Sequence, residues 1–137
     1  VSEGSSDAAA VIARHGLMPH PEGGWYRETW RAAAGPRDRA AATAILFLLE
    51  AGQSSHWHKV DADEMWLWHG GAPLALRIGD RAVTLDAAYP QALIPADQWQ
   101  AAHAQQGWAL VSCVVVPGFD FAGFTLAPPG WEPDQAG

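Results

Sequence analysis

Lysine is nearly missing from this chain of 137 residues. Lys59 is the single lysine among eight basic residues, which face fifteen acidic ones for a formal charge of −7. Such a balance, with no basic stripe to override it, repels phosphate backbones and anionic lipid surfaces and argues against nucleic acid as a partner. Cysteine is equally scarce: Cys113 stands alone, so no internal disulfide can form, which suits a reducing compartment. No apolar run approaches the ~20 residues of a spanning helix, and no basic-then-apolar signal opens the chain. The expectation is a soluble, cytoplasmic protein with no membrane partner. The chain opens on Val1, so its original start is left open.

Apolar material is plentiful, at 49% hydrophobic residues with eight tryptophans. The length suits one domain that buries about two-thirds of its unfolded surface. Residues 1–6 are small and polar, and residues 1–10 read as a partly flexible N-terminus. Asp7 caps an expected helix from Ala8 to His15, closed by Gly16. Prolines and paired glycines from Leu17 to Gly24 mark a loop leading into an extended segment, and 31–42 reads as a solvent loop. Short strands are then expected at Ala44–Glu50 (buried on both faces), Glu64–His69, Leu74–Ile78, Arg81–Leu85, Ala92–Pro95, Trp99–His103 and Trp108–Val116. Gly79-Asp80 reads as a tight hairpin. Short strands, regular turns and one helix predict an all-β barrel or sandwich, with a tail over 127–137 that leaves the core even if Trp131 docks.

His56, Trp57 and His58, followed by Glu64, gather potential metal ligands at a meaningful spacing. Were 56–58 extended, both imidazoles would leave one sheet face with Cα atoms roughly 6.6 Å apart. A reversal through Val60-Asp61-Ala62-Asp63 returns Glu64 on the next strand and adds an oxygen ligand to two nitrogens. Trp66 and Trp68 share the face of Glu64 and are candidates to line a cavity beside it, with core packing as the alternative. Cys113, within an apolar strand, reads as an inert packed thiol. His20, His69 and His103 read as isolated.

Four separated stretches carry a resemblance: His20-Pro21-Glu22-Gly23-Gly24-Trp25-Tyr26-Arg27-Glu28, Ser55 to Trp66, Ile94 to Gln100, and Val116-Pro117-Gly118-Phe119-Asp120-Phe121. In this order they resemble the cupin_5 (DUF985) family over about residues 11–126. The resemblance implies a double-stranded β-helix, the cupin jelly-roll barrel, with a short N-terminal helix. It also implies a homodimer with a cavity inside the barrel, and it implies no known reaction. Against the wider cupin pattern, five residues separate His58 from Glu64 where three or four are usual. Taking His58 as the first ligand instead puts Val60 at the second histidine position. Gln100 stands where the last ligand histidine belongs. A metal set of His56, His58, Glu64 and Gln100 is thus incomplete, since a carboxamide oxygen binds late first-row metals weakly. A divalent cofactor is left open, with tight occupancy disfavoured.

The resemblance to metal-independent cupin epimerases implies a second mechanism. His58 acts as general base, Glu64 orients it or serves as the complementary acid, and Tyr26 is the acid candidate. Glu22, Trp66, Trp68 and Gln100 are then substrate-binding candidates. Arg27 and Arg77 are few for a pyrophosphate, so a small, partly apolar molecule or a sugar ring is expected rather than a large anion. Two classes stand: an isomerase- or epimerase-like enzyme, with or without metal as in the oxygenase and metal-isomerase cupins, or a non-catalytic small-molecule-binding barrel.

Overall fold

The computed structural model describes residues 5–34 and 38–133. Parts of the expected flexible N-terminus (1–4), loop (35–37) and tail (134–137) lie outside the described residues. Helix α1 (Ser5–His15) begins earlier than the expected Ala8, so Asp7 sits in its first turn instead of capping it. There the carboxylate still faces the positive end of the helix dipole. Gly16 adopts φ +64°, and the N–H groups of Gly16 and Leu17 donate to Ala13 O and Ile12 O at 3.3 and 3.0 Å. This is a Schellman closure. It folds Leu17 back beside Ile12 and Val11, where they pack with Leu46, Leu48 and Leu110 on the outside of a sheet.

Short strands make up most of the rest: β1 (Met18–Pro19), β2 (Trp25–Arg31), β3 (Thr43–Leu49), β4 (Ser54–Val60), β5 (Asp63–Gly71), β6 (Leu74–Ile78), β7 (Arg81–Leu85), β8 (Gln91–Ile94), β9 (Gln100–His103), β10 (Ala109–Val116) and β11 (Phe124–Leu126). They form a sheet of order β1-β2-β3-β10-β5-β8 and a second of order β11-β4-β9-β6-β7. Among the described residues the strands pair antiparallel, as in the register of β10 against β5 and β3. Phe47 and Trp66 of the first sheet share one core with Leu76, Ile78 and Leu85 of the second, so the sheets pack face to face. This is the expected all-β double-stranded β-helix. Strand β3 lies between β2 and β10, with α1 outside it and the core inside, which explains its unbroken apolar run.

Strands β6 and β7 fall where expected, turning at Gly79 with φ +58°. Strands β1 and β11 were not anticipated: two and three residues are too few to show alternation. The expected loop at 31–42 is partly tied down, because Ala32 and Ala41 bond across it and Ala40 is buried. The tail does leave the barrel interior, but it crosses the outer side of the five-stranded sheet. Trp131 lies 4.4 Å from Trp99 and 6.4 Å from Trp57, ring centre to ring centre.

Strand β4 carries a bulge. Ser55 pairs with Ala102 and His58 with Gln100, so β4 spends one extra residue on this stretch. A bulge breaks the two-residue alternation of faces. Ser55 and His58 are buried toward the barrel, whereas Trp57 meets Trp131, and His56 Nε2 donates to Pro128 O of the tail at 2.8 Å. The expectation that His56 and His58 share a face therefore fails.

The loop before β2 is closed on itself and pinned to this bulge. Gly23 N–H donates to His20 O, His20 N–H to Gly24 O, and His56 N–H to Glu22 O, at 2.8 to 3.0 Å. Gly23 has φ +105°, and a Cβ there would run into the carbonyl oxygen of Ser54. Both strain and collision act at one position. Gly23→Ala is expected to lower the unfolding free energy by about 2–4 kcal/mol. Urea denaturation of the variant checks this, and an unchanged midpoint at unchanged slope contradicts it.

Candidate functional site

The barrel interior is divided in two. One end is filled by Phe47, Trp66, Leu76, Ile78, Leu85 and Ala102, nearly all of them fully buried. The other end holds a cavity of about 480 Å³. Between them sits a layer of buried polar side chains: Glu22, His58, Glu64 and Gln100. The outer part of the cavity is walled by Phe119, Phe121 and Phe124, packed edge to face. Glu28 pairs with Arg31 at 2.7 Å. Arg39 grips Asp61 through two bonds of 2.8 and 3.1 Å and also donates to Gly118 O.

His58 and Glu22 form the centre of the polar layer. His58 Nε2 lies 3.0 Å from Glu22 Oε2, and His58 Nδ1 lies 2.8 Å from His56 O. A carbonyl only accepts, so Nδ1 carries a proton. Were the ring neutral, the lone pair of Nε2 would face a carboxylate oxygen. The arrangement is satisfied by a proton on each nitrogen, that is, by an imidazolium–carboxylate pair. Burial alone would lower the pKa of His58, but the charge of Glu22, its hydrogen bond, the charge of Glu64 and the His56 carbonyl together raise it to about 9. For Glu22, burial pushes upward, yet His58 by charge and hydrogen bond, then His20 and the nearby Ser55 hydroxyl, hold the carboxyl below its ordinary value. The Ser55 hydroxyl is wholly buried and meets no partner in hydrogen-bonding geometry; its influence on Glu22 is that of a nearby dipole.

Glu64 faces a different set of partners. Gln100 Nε2 donates to Glu64 Oε1 at 3.0 Å, and Trp66 Nε1 donates to Gln100 Oε1 at 3.0 Å. The indole thereby fixes which way the amide points. The Cys113 thiol lies beside Glu64 and favours its charged form. Burial raises the pKa of Glu64, and Glu22 adds to the rise, against opposing contributions from His58, Gln100 and Cys113. Burial and the two carboxylates push the Cys113 thiol well up, so it stays protonated.

The sequence-derived candidates thus separate. His58, Glu64, Glu22 and Tyr26 all line the cavity, and Gln100 stands directly behind Glu64. The direct partner of His58 is Glu22; Glu64 acts on it only through charge. Trp66 lies in the packed end, touching the polar layer through Gln100, and Trp68 turns its indole N–H to Ala72 O away from the cavity. His56 contributes through its backbone, which bonds both Glu22 and His58, while its ring faces the tail. His20, read as isolated, also lines the cavity. Its Nδ1 accepts the Glu22 N–H at 3.0 Å, and its ring sits 4.5 Å from Tyr26. A usable signal was its place two residues before Glu22, just ahead of a Gly-Gly turn. Cys113 lines the cavity too, because it faces inward from β10 beside Glu64.

The proposed metal set of His56, His58, Glu64 and Gln100 does not converge. The His56 ring is on the other side of β4, both nitrogens of His58 are bonded within the protein, and Gln100 spends its oxygen on Trp66. Among the described residues no group of three His, Cys, Asp or Glu side chains is arranged to hold a metal ion. The donor set present does not fit one. Among the described residues no helix is long and apolar enough to cross a membrane.

Comparison with known proteins agrees with this architecture. A hypothetical protein from Leishmania major is 32% identical, with a TM-score of 0.80 over 88% of this chain and 86% of that one. A Shewanella oneidensis protein is 36% identical, with a TM-score of 0.80 over 88% of this chain and 84% of that one. At 17% identity, a cupin 2 conserved barrel domain protein from Rhodopseudomonas palustris superposes with a TM-score of 0.64 over 82% of this chain and 77% of that one, a likeness of fold alone. No curated protein matches the chain. The model of the Cupin_5 family, described as "Cupin superfamily (DUF985)", matches residues 9–127. With nearly the whole barrel covered by that match, the chain belongs to the Cupin_5 (DUF985) family of the cupin superfamily.

Proposed function

We propose that the protein takes a small molecule into the open end of the barrel and that the Glu22–His58 pair moves a proton on it, chemistry of the isomerase or epimerase kind. The observation that carries this reading is the proton-linked pair at the inner end of a cavity large enough for a sugar-sized ligand. Because His58 is held protonated at neutral pH, it enters as the proton donor and Glu22 as the base, reversing the expected role of His58. The bond from Nδ1 to His56 O fixes the ring, so exchange occurs at Nε2. Glu64, pushed toward its neutral form, keeps the inner end from carrying two full negative charges. Tyr26 lines the same cavity and offers a hydroxyl to the ligand.

A second reading, a non-catalytic binding barrel, is favoured by one observation: both His58 nitrogens are already bonded within the protein. Homodimer formation is a further proposal. A row of residues in register across the outer face of the six-stranded sheet, Trp30, Ala44, Val114, Met65 and Leu93, bears no charge, and Trp30 and Leu93 are more than half exposed. The free, buried thiol of Cys113 supports a cytoplasmic setting.

Three outcomes are expected. First, the small molecule that co-purifies, identified by mass spectrometry, should exchange a C–H proton with D₂O in the presence of the protein. His58→Gln should slow that exchange by about 10²–10⁴-fold while sparing affinity. No exchange with wild type favours the binder, and unimpaired exchange in His58→Gln removes the acid role. Second, stability should depend on pH through the pair. The raised pKa of His58 gives stability that is complete below 6.5 and is lost as pH rises through about 9. The depressed Glu22 gives stability present above 4.5 and lost on acidification, and the raised Glu64 gives stability present below 4.5 and lost as pH rises through its folded pKa. Unfolding free energy should therefore fall from pH 6.5 toward 9 by up to about 1.4 kcal/mol per pH unit for the His58 proton. Glu22→Gln should flatten that slope, as followed by urea denaturation across pH. Third, light scattering should show a dimer that Leu93→Glu shifts to monomer; a wild-type monomer refutes the interface.

A further inference from the structure

His20 moves no proton in the scheme above, yet its geometry is unusually determined. Its Nδ1 accepts the backbone N–H of Glu22, so that nitrogen carries no proton and the neutral ring bears its proton on Nε2. Burial, opposed by Glu22 and aided by His58, keeps the ring below its ordinary pKa. Edge-to-face contacts with Tyr26 at 4.5 Å and Phe47 at 5.6 Å fix the plane of the ring. The side chain is only 7% exposed, it lines the cavity, and no bond to Nε2 is made among the described residues. An N–H donor without a protein partner among the described residues, on a largely enclosed ring that lines a cavity, is available to a ligand.

The charges around the cavity say which ligand. Arg31 is paired with Glu28, Arg39 with Asp61 and the Gly118 carbonyl, and His58 with Glu22. Glu64, Asp38 and Asp120 also line the space. Among the described residues every lining cation is therefore already matched, and further carboxyl groups are in surplus. An incoming carboxylate or phosphate would find no unmatched positive charge among the described residues, and carboxyl groups in surplus.

We propose that His20 is a specificity-determining residue whose Nε2–H donates to an uncharged carbonyl or hydroxyl oxygen of the ligand, so that the cavity accepts neutral oxygenated molecules and turns away carboxylates. The inference rests on the reading of the cavity as a ligand site and names what that site selects. Acetamide and acetate have the same shape and differ in charge, which makes them suitable probes.

The test is NMR of the full chain labelled with ¹⁵N, titrated at neutral pH with acetamide, glycerol and acetate. Before any probe is added, the His20 ring should show the neutral form with its proton on Nε2; a cationic ring or a proton on Nδ1 overturns the proposal. Acetamide and glycerol should shift the His20 Nε2–H and its cavity neighbours, with acetate weaker by at least about tenfold. Acetate binding as well as acetamide overturns it. His20→Asn supplies an oxygen to accept the Glu22 N–H but leaves the place of Nε2 empty. It should melt within a few degrees of wild type and bind acetamide on the order of tenfold more weakly. Unchanged affinity in that variant overturns the proposal. Should His20→Asn fail to fold, the ring tautomer and the acetamide-to-acetate ratio of the wild type still decide. If no probe shifts any cavity residue, the reading of the cavity as a ligand site falls and takes this inference with it. Shifts at the cavity that leave His20 unmoved defeat the inference alone.

Discussion

A buried charge cannot stand in a barrel unless something answers it, and here Glu22 and His58 answer each other. Each is almost wholly enclosed, and each would be driven to its neutral form without the other. Their pairing joins the loop ahead of β2 to the bulged strand β4, on opposite sheets. The surrounding architecture reads as the means of holding that pair still. The Gly23 turn brings the loop against Ser54, the His56 backbone bonds both partners, and Trp66 sets the amide of Gln100 that faces Glu64.

The bulge in β4 has two consequences that oppose each other. It removes the His56 ring from the barrel, which dismantles the expected metal set, and it brings the His56 carbonyl under the His58 ring. A nitrogen ligand is thus exchanged for a backbone acceptor that keeps His58 protonated at Nδ1. Where a metal ligand was expected, the strand offers a backbone carbonyl to a protonated imidazole. The tail reinforces this, since Pro128 accepts the His56 ring on the outer side.

Much of this was legible in the residues. Alternation through 64–66 placed Glu64 and Trp66 inside, and the apolar run of β3 foretold a strand covered on both faces. Motif order led to the jelly roll and to Glu22, Tyr26 and His58, which line the cavity. The partner of His58 was not legible, because Glu22 lies on a loop and no period connects a loop to a strand. The bulge was hidden as well: it shifts one register step with no glycine or proline to mark it. His20 was missed because its role depends on a bond from a backbone N–H, which side-chain spacing does not reveal. The short strands β1 and β11 owe their existence to neighbours rather than to local pattern.

The packed end of the barrel floors the cavity. Phe47, Trp66, Leu76 and Leu85 fill the space behind the polar layer. A molecule held at the Glu22–His58 pair would be backed by packed side chains, with Phe119, Phe121 and Phe124 along the outer wall.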